Sequence, residues 1–200
     1  MAFIVFEGGD GSGKSTQIKR LRNRLARRRY LYTFTREPGG TPLGENLRKI
    51  LKTRSDLSPL GELLLFIAAR QQLINQVIIP AIDSGKHILS DRFTASTVAY
   101  QGYGRGLDIP HIVSLNKLAT GDIEPDLTIL LDMPPEIALS RMSGRKKDTF
   151  DNSELSFHKR VRQGFLEQAQ SDKLKWLVLD ANLPANKLAI EIWNKVKTLL

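Results

Sequence analysis

The sequence predicts a three-layer α/β/α sandwich built on a five-stranded parallel sheet. Short apolar runs rich in Ile, Val, Leu and Phe alternate along the chain with longer helical patterns. The runs are apolar at successive positions, which is typical of strands that are covered on both faces. Strands that alternate with helices in this way indicate a parallel sheet between two helical layers.

The candidate elements follow one another without a linker long enough to separate domains. The five candidate strands are residues 2–6, 30–35, 87–90, 127–131 and 176–179. The candidate helices are residues 14–29, 42–52, 59–83, 94–100, 110–120, 135–141, 154–171 and 184–200. Several begin at a proline, which is tolerated in the first turn of a helix. In such sheets ligands bind at the carboxyl ends of the strands, so functional residues are expected directly after them.

Composition narrows the class of protein. A chain of 200 residues with 41% hydrophobic and 26% charged residues suits one domain over residues 1–200. The absence of Cys excludes disulfides, thiolate zinc sites and a cysteine nucleophile. Apolar runs such as residues 63–69 are shorter than the ~18 residues of a membrane span, so we expect a cytoplasmic protein without membrane association. The net charge of +9 favours anionic partners.

A glycine-rich segment follows the first strand and matches the pattern G-x-x-x-x-G-K-[ST]. It consists of Gly8, Gly9, Asp10, Gly11, Ser12, Gly13, Lys14, Ser15 and Thr16. The glycines allow successive backbone N–H groups to point at one anion, while Lys14 can reach the β- and γ-phosphates and Ser15 can offer its hydroxyl to Mg²⁺. The segment therefore predicts nucleoside triphosphate binding in a P-loop NTPase fold. Residues 116–119 lack the Asp of a guanine-reading N-K-x-D signature, which disfavours a GTPase.

Charged residues also follow the second and third candidate strands. Arg36 stands close to Gly39 and Gly40 and is suited to hold a second phosphate, since a guanidinium matches phosphate oxygens. A surface ion pair beside a turn is the alternative interpretation of Arg36. Asp91 can organise Mg²⁺ through water and Arg92 can reach the phosphate that is modified, unless the two form only a buried salt bridge.

These segments together resemble the bacterial thymidylate kinase family over essentially the whole chain. The resemblance rests on residues 8–16, 35–41, 91–93, 99–102 and 141–151. It implies ATP- and Mg²⁺-dependent phosphorylation of dTMP to dTDP, for dTTP synthesis, by a homodimer. Lys14, Asp91 and Arg92 would be catalytic, with Ser15 and Asp91 as the metal site.

The resemblance also implies roles in binding the acceptor nucleotide. Asp10 would accept a hydrogen bond from the 3′-hydroxyl, and Arg36 and Arg92 would hold the 5′-phosphate. Phe66 would stack on thymine and Arg70 would donate to its O4, and their i, i+4 spacing places both on one face of a helix.

The resemblance further implies that two residues contact the sugar and the base. Tyr100 would crowd the C2′ position and favour deoxyribose, and the amide of Gln101 would bind the pyrimidine edge.

A basic segment near residues 141–151 resembles a lid over ATP. Arg141 would contact ATP, and Arg145 is the residue we favour for stabilising the charge of the transferred group, with Lys146 and Lys147 as substitutes. Some relatives carry an Arg inside the phosphate loop at the position of Gly11, and a cationic lid fits its absence here. A solvated charge run in a surface loop is the alternative interpretation.

Two other functions remain open from the sequence. A deoxynucleoside kinase would attack with a hydroxyl and use Glu37 as its base, although the cation of Arg36 is of little use to a neutral acceptor. A nucleic-acid-handling P-loop ATPase would use the basic residues of the first helix, Lys19, Arg20, Arg22, Arg24, Arg27, Arg28 and Arg29. We expect these residues to form the solvent face of a helix, and therefore no stable complex with nucleic acid.

Overall fold

The structure is a computed structural model that describes residues 1–142 and 154–200. Within these residues five strands form one sheet in which every neighbouring pair is parallel. The strands are β1 (Phe3–Glu7), β2 (Tyr32–Arg36), β3 (His87–Asp91), β4 (Leu127–Asp132) and β5 (Trp176–Asp180), in the order β2-β3-β1-β4-β5. Helices cover both faces, which confirms the predicted three-layer architecture.

The helices agree with the predicted pattern to within a few residues at each end. They are α1 (Lys14–Arg27), α2 (Pro42–Thr53), α3 (Pro59–Leu73), α4 (Ile79–Asp83), α5 (Thr94–Thr97), α6 (Ile109–Thr120), α7 (Pro135–Ser140), α8 (Leu155–Ser171) and α9 (Ala185–Val196). The π-helical segment Ile74–Ile78 joins α3 to α4, so the predicted helix over residues 59–83 is continuous. A second π-helical segment, Val98–Gly104, extends α5 beyond the predicted residue 100.

Each strand continues one residue beyond its predicted carboxyl end. The additional residues are all charged: Glu7, Arg36, Asp91, Asp132 and Asp180. A search for apolar runs stops before a charged side chain, although the backbone pairing continues through it. Because the strands are parallel, these five side chains lie along one edge of the sheet.

Alternate residues of the central strand pack on opposite faces of the sheet. Ile4 and Phe6 belong to a core that includes residues of α1 and α9. Phe3 and Val5 belong to a second core with residues of the α3–α4 helix. All four side chains are buried, as expected for a central strand covered on both sides.

One helical stretch of the described residues, Pro59–Asp83, is long and apolar enough to cross a membrane, with a mean hydropathy of 1.3. Our sequence criterion, an uninterrupted apolar run, did not detect it. A single such helix is weak support for a membrane span, because core helices of soluble proteins have the same length and composition. Its charged residues Glu62 and Arg70 are buried and form ion pairs with Arg105 and Glu37.

Candidate active site

The phosphate loop connects β1 to α1 and requires glycine at two positions. Gly8 has a φ of 133°, and a Cβ there would lie 2.5 Å from the carbonyl oxygen of Leu131. Gly11 has a φ of 80°, and a Cβ there would lie 2.3 Å from the carbonyl oxygen of Ala138 in α7. A side chain at position 11 would therefore require the loop or α7 to shift.

Lys14, the first residue of α1, lies folded over the loop. Its Nζ donates to the carbonyl oxygens of Gly8 at 2.8 Å and of Gly9 at 2.9 Å. Burial and the charge of Arg92 lower the pKa of Lys14. Ser15 and Thr16 follow at the exposed first turn of the helix. The predicted phosphate-binding residues are therefore brought together at the amino end of one helix, where an anion is favoured.

One cleft of about 860 Å³ contains both halves of the predicted site. From the phosphate loop it is lined by Asp10, Gly11, Gly13, Lys14, Ser15 and Thr16. From the rest of the chain it is lined by the predicted residues Arg36, Phe66, Arg70, Asp91, Arg92, Tyr100, Gln101 and Arg141. Gly8, Gly9 and Ser12 complete the loop outside this lining, and Arg145 lies outside the described residues.

Arg92 connects the phosphate loop to the end of β3. Its backbone has a φ of 74°, in the left-handed region that a side chain occupies at a cost of about 1–2 kcal/mol. Its guanidinium donates to Asp10 at 2.9 Å, to Ser96 at 2.9 Å and to the hydroxyl of Tyr100 at 3.2 Å. Desolvation of Asp10 is outweighed by the charges of Arg92 and Lys14, which hold the pKa of Asp10 well below its usual range.

Glu7 is a member of this site that our sequence reasoning missed. It is fully buried and accepts hydrogen bonds from the backbone N–H groups of Phe93 (2.8 Å) and Ser96 (3.2 Å) and from the Ser96 hydroxyl (2.6 Å). Its carboxylate lies 3.9 Å from Arg92. Burial raises the pKa of Glu7 to about 7 even though Arg92 opposes the shift. The available signal was a carboxylate at the end of an apolar strand, directly before the glycines.

Arg36 is placed at the cleft, but its guanidinium pairs with Glu45 of α2. Nη2 of Arg36 lies 3.0 Å from Oε2 of Glu45, and about half of each side chain is exposed. This contact is the surface ion pair that we named as the alternative interpretation.

Two further cations of α2 line the same cleft and were missed from the sequence. They are Arg48, which donates to the carbonyl oxygen of Pro38 at 2.9 Å, and Lys52. Burial, together with the charge of Arg36, lowers the pKa of Arg48. Arg48 lies three residues after Glu45, the ion-pair partner of Arg36, and therefore on the same face of α2. This spacing was the signal that could have found it.

Phe66 and Arg70 of α3 both line the cleft, as their spacing predicts. Arg70 is 1% exposed and forms a buried ion pair with Glu37, in which its Nε donates to Oε2 at 2.9 Å. The same guanidinium donates to Asn116 at 2.5 Å and to Thr97 at 2.9 Å. Burial raises the pKa of Glu37, although Arg70 acts against that shift. Both carboxylate oxygens of Glu37 are hydrogen-bonded to Arg70.

Tyr100 and Gln101 enter the cleft from the π-helical segment Val98–Gly104. The hydroxyl of Tyr100 donates to Asp10 at 3.3 Å, and the guanidinium of Arg92 lies 5.0 Å from the centre of its ring. Gln101 is 1% exposed, and its amide nitrogen donates to Glu62 at 2.9 Å. Such π-helical insertions frequently occur at functional sites, where they aim side chains that a regular helix would direct elsewhere.

The residues predicted to hold Mg²⁺ fit that ion. Oδ1 of Asp91 is buried and has no hydrogen-bond partner among the described residues, which suits a carboxylate that accepts from metal-bound water. Ser15 presents its hydroxyl at the start of α1. The described residues contain no cluster of three or more His, Cys, Asp or Glu, as expected where phosphates and water supply most ligands of Mg²⁺.

Arg141, the predicted ATP contact in the lid, lines the cleft directly after α7. Its Nη1 donates to the carbonyl oxygen of Ala181 at 3.2 Å. The side chain is therefore anchored near the phosphate loop, on the side where α7 approaches Gly11.

A phosphate loop and an arginine-rich second site on one sheet edge define a P-loop nucleotide kinase. The chain belongs to the thymidylate kinase family, whose model matches residues 6–192. It is 45% identical over 196 residues to the thymidylate kinase of Deinococcus radiodurans, covering 97% of this chain and 95% of the relative. It is 48% identical over 188 residues to that of Kosmotoga olearia, covering 93% and 90%.

A solved structure agrees with this assignment. The chain matches the crystal structure of thymidylate kinase from Ehrlichia chaffeensis with a TM-score of 0.83 and 35% identity, and the match covers 98% of each chain. The family resemblance read from the sequence is thereby confirmed.

Proposed function

We propose that this protein transfers the γ-phosphoryl group of ATP to dTMP, giving dTDP and ADP, with Mg²⁺ bound beside the donor. The observation that carries the proposal is that one cleft is lined by the phosphate loop and by Phe66, Arg70 and Arg92. Transfer between two nucleotides requires both phosphate groups in line within one site. Membership of the thymidylate kinase family supports dTMP as the acceptor.

The donor end of the cleft is the phosphate loop. Its backbone N–H groups would bind the β-phosphate, and Lys14 would exchange its contacts with the Gly8 and Gly9 carbonyls for the β- and γ-phosphates. Ser15 and Asp91 would hold Mg²⁺, which when bound supplies further neutralisation of phosphate charge. Arg141 would contact ATP, and Arg145 would add a cation at the transferred group.

The acceptor phosphate would be held by arginines. Arg92 is fixed by Asp10, Ser96 and Tyr100, so its charge is positioned before substrate binds. Arg36 pairs with Glu45 in a half-exposed contact, and such ion pairs are worth only about 0–1 kcal/mol. Arg36 can therefore exchange its contact with Glu45 for a contact with a dianionic phosphate at a small cost in free energy.

The chemistry needs no general base. A nucleoside monophosphate has a second pKa of about 6, so at neutral pH its phosphate is mostly a dianion and already a nucleophile. The residues of the cleft then act by aligning two anions and neutralising their charge. Asp10 and Tyr100 would contact the sugar of the acceptor, and Phe66, Arg70 and Gln101 would contact its base.

A deoxynucleoside kinase is disfavoured by the contacts of its candidate base. Both oxygens of Glu37 accept hydrogen bonds from Arg70, and the residue is 5% exposed. A carboxylate held in this way is not directed at a sugar hydroxyl. In the proposed complex the ion pair with Glu37 would instead hold Arg70 beside the acceptor base.

A nucleic-acid-handling ATPase is disfavoured by the packing of the α1 arginines. Arg22 lies over the ring of Phe34, and Arg24 and Arg28 lie 5.0 Å from the ring centre of Trp193 in α9. These guanidinium groups cover aromatic surface of their own chain. A filter-binding titration with single-stranded DNA and RNA at moderate salt is expected to show no tight binding and no stimulation of ATP hydrolysis.

The proposed homodimer would use α3 and α6, which pack together in this chain. Both helices carry exposed apolar side chains: Leu60, Leu64, Val113 and Leu118. By contrast, Val98, Ala99 and Tyr100 are buried in the core. Sedimentation of the protein at micromolar concentration is expected to give the mass of two chains, and Leu64→Glu is expected to give one.

A substrate panel tests the proposed reaction. A coupled assay with ATP and Mg²⁺ is run on dTMP, dUMP, dCMP, dAMP and free thymidine, and Lys14→Met serves as the inactive control. We expect dTMP to give the highest kcat/KM and thymidine to give no turnover above that control. Comparable rates with thymidine and dTMP would overturn the assignment.

A further inference from the structure

The amide of Gln101 has only one of its two ends bound within the protein. Its Nε2 donates to Oε1 of Glu62 at 2.9 Å. None of the described residues donates a hydrogen bond to its side-chain oxygen, and the residue lines the cleft. Glu62 lies on α3 at four and eight residues before Phe66 and Arg70, which places it on the same helix face as both. Gln101 therefore reaches the end of the cleft where Phe66 and Arg70 lie.

Glu62 determines which end of the amide faces the cleft. The carboxylate is 4% exposed and is paired with Arg105, whose Nε donates to Oε1 at 3.2 Å and whose Nη2 donates to Oε2 at 3.0 Å. A carboxylate held by a guanidinium offers only acceptor atoms. Gln101 must then turn its NH₂ group toward Glu62 and its oxygen toward the cleft.

We propose that Glu62 is a specificity-determining positioning residue that fixes Gln101 as a hydrogen-bond acceptor for the base. This inference rests on the proposed function. The pairing edge of thymine presents N3–H between two carbonyl oxygens, whereas cytosine presents an unprotonated N3 beside an amino group. An amide oxygen accepts a hydrogen bond from N3–H of thymine. Against cytosine the same oxygen faces the unprotonated N3, which is also an acceptor. Glu62 thereby selects thymine and uracil against cytosine without touching the base.

A purely structural role for Glu62 makes a different prediction. The ion pair with Arg105 joins α3 to the end of the π-helical segment, so its loss lowers stability in either case. Loss of stability alone lowers activity toward all nucleotides by the same factor. Loss of the amide orientation changes the ratio between substrates.

The test is Glu62→Gln, which keeps the shape of the side chain and gives it a donor. Arg105 donates to both oxygens of Glu62, and Gln101 shares Oε1 with Nε of Arg105. With the oxygen of the new amide at the Oε2 position, where Nη2 of Arg105 donates, the NH₂ group at the Oε1 position donates to the Gln101 oxygen and favours the reversed orientation, which a carboxylate cannot support. We expect the ratio of kcat/KM for dTMP to that for dCMP to fall at least ~10-fold. The ratio of dTMP to dUMP is expected to stay within about twofold, because uracil has the same N3–H and differs only at the methyl group.

Two further variants show whether Glu62 acts through Gln101. In a Gln101→Met background, Glu62→Gln is expected to change the dTMP/dCMP ratio by less than about threefold. Glu62→Asp keeps a carboxylate and is expected to retain the ratio within about threefold of the unsubstituted protein, even with a lower Tm.

The outcomes separate this inference from the proposed function. An unchanged dTMP/dCMP ratio in Glu62→Gln, an equal fall in the Gln101→Met background, or an equal fall in Glu62→Asp would each overturn the role of Glu62. An unsubstituted protein that fails to phosphorylate dTMP would overturn the proposed function itself. Thermal unfolding of every variant verifies that folded proteins are compared.

Discussion

Asp10 of the phosphate loop accepts a 2.9 Å hydrogen bond from Nη2 of Arg92, which follows β3. This contact joins the loop after one strand to the turn after its neighbour, because β1 and β3 pair side by side in the sheet. The same guanidinium lies over the ring of Tyr100. The proposed donor and acceptor halves of the cleft are therefore joined by contacts between protein groups, which is the kind of preorganisation that phosphoryl transfer requires.

Removing the Arg92 side chain is expected to damage the reaction severely. Arg92→Ala should lower kcat/KM for dTMP at least ~100-fold, equivalent to about 3 kcal/mol from a charge-assisted contact. Steady-state assays measure the effect. Arg20→Ala is the matched control, since Arg20 lies on the exposed face of α1 and bonds to Asn186. If kcat/KM for dTMP were the same in Arg92→Ala as in this control, Arg92 would not be part of the acceptor site.

Glu7 is expected to make stability depend on pH. Its pKa is raised to about 7 in the folded protein from an ordinary value of 4.5. Between these values the native state holds a proton that the unfolded chain has released, so the free energy of unfolding falls as pH rises. The contribution is complete below pH 4.5 and is lost by about pH 7, up to about 3 kcal/mol.

Glu7→Gln isolates this contribution, because an amide does not titrate and its oxygen can still accept from Phe93 and Ser96. Urea unfolding at several pH values gives the difference curve between the two proteins. We expect the unsubstituted protein to lose stability relative to the variant across this range. A flat difference curve would contradict the raised pKa.

The buried pair of Glu37 and Arg70 is expected to be costly to break. Glu37→Leu leaves the guanidinium of Arg70 without its carboxylate in the interior, which should lower the free energy of unfolding by about 3–5 kcal/mol. The double variant Glu37→Leu/Arg70→Met removes both charges and should recover most of that loss. Urea denaturation measures both. A double variant less stable than Glu37→Leu would show that the pair itself stabilises the fold.

The absence of a side chain at Gly11 is expected to matter for the use of ATP. In Gly11→Ala the new Cβ meets the Ala138 carbonyl at 2.3 Å, so the loop or α7 must move. A displacement of ~1 Å can cost ~100-fold in rate, and we expect kcat/KM for ATP to fall at least ~10-fold.

Gly106→Ala is the matched control for Gly11→Ala. Gly106 has nearly the same φ, 79°, but a Cβ there meets nothing within 4 Å. Gly106→Ala should therefore have the same backbone strain, about 1–2 kcal/mol, while its kcat/KM for ATP stays near that of the unsubstituted protein. Equal losses of kcat/KM in both variants would show that strain, and not the contact with α7, is responsible.

The fold was predictable because its signals are local. Apolar runs define the strands, and turn and proline positions define the helix starts. The order β2-β3-β1-β4-β5 was not predicted, since the residues of a strand do not by themselves indicate which strands pair with it. The π-helical insertion at Val98–Gly104 was missed for a related reason, because its pattern is that of an ordinary helix over so few residues.

The site was predictable where a motif is contiguous. The phosphate loop and the Asp91–Arg92 pair each lie within one short segment, and the structure places them in one cleft. Glu7 and Glu62 were missed because their roles depend on partners that are distant in sequence. Arg145 stays a prediction, as it lies outside the described residues.

The charged terminal residue of every strand has a consequence for how this protein can change over evolutionary time. The buried residues of β2 and β3 build the interior, whereas Arg36 and Asp91 at the ends of the same strands line the cleft. Selection for another acceptor can therefore change the residues that line the cleft while the packing of the buried residues is conserved. A fold of this kind can acquire new activities through substitutions that change its stability little.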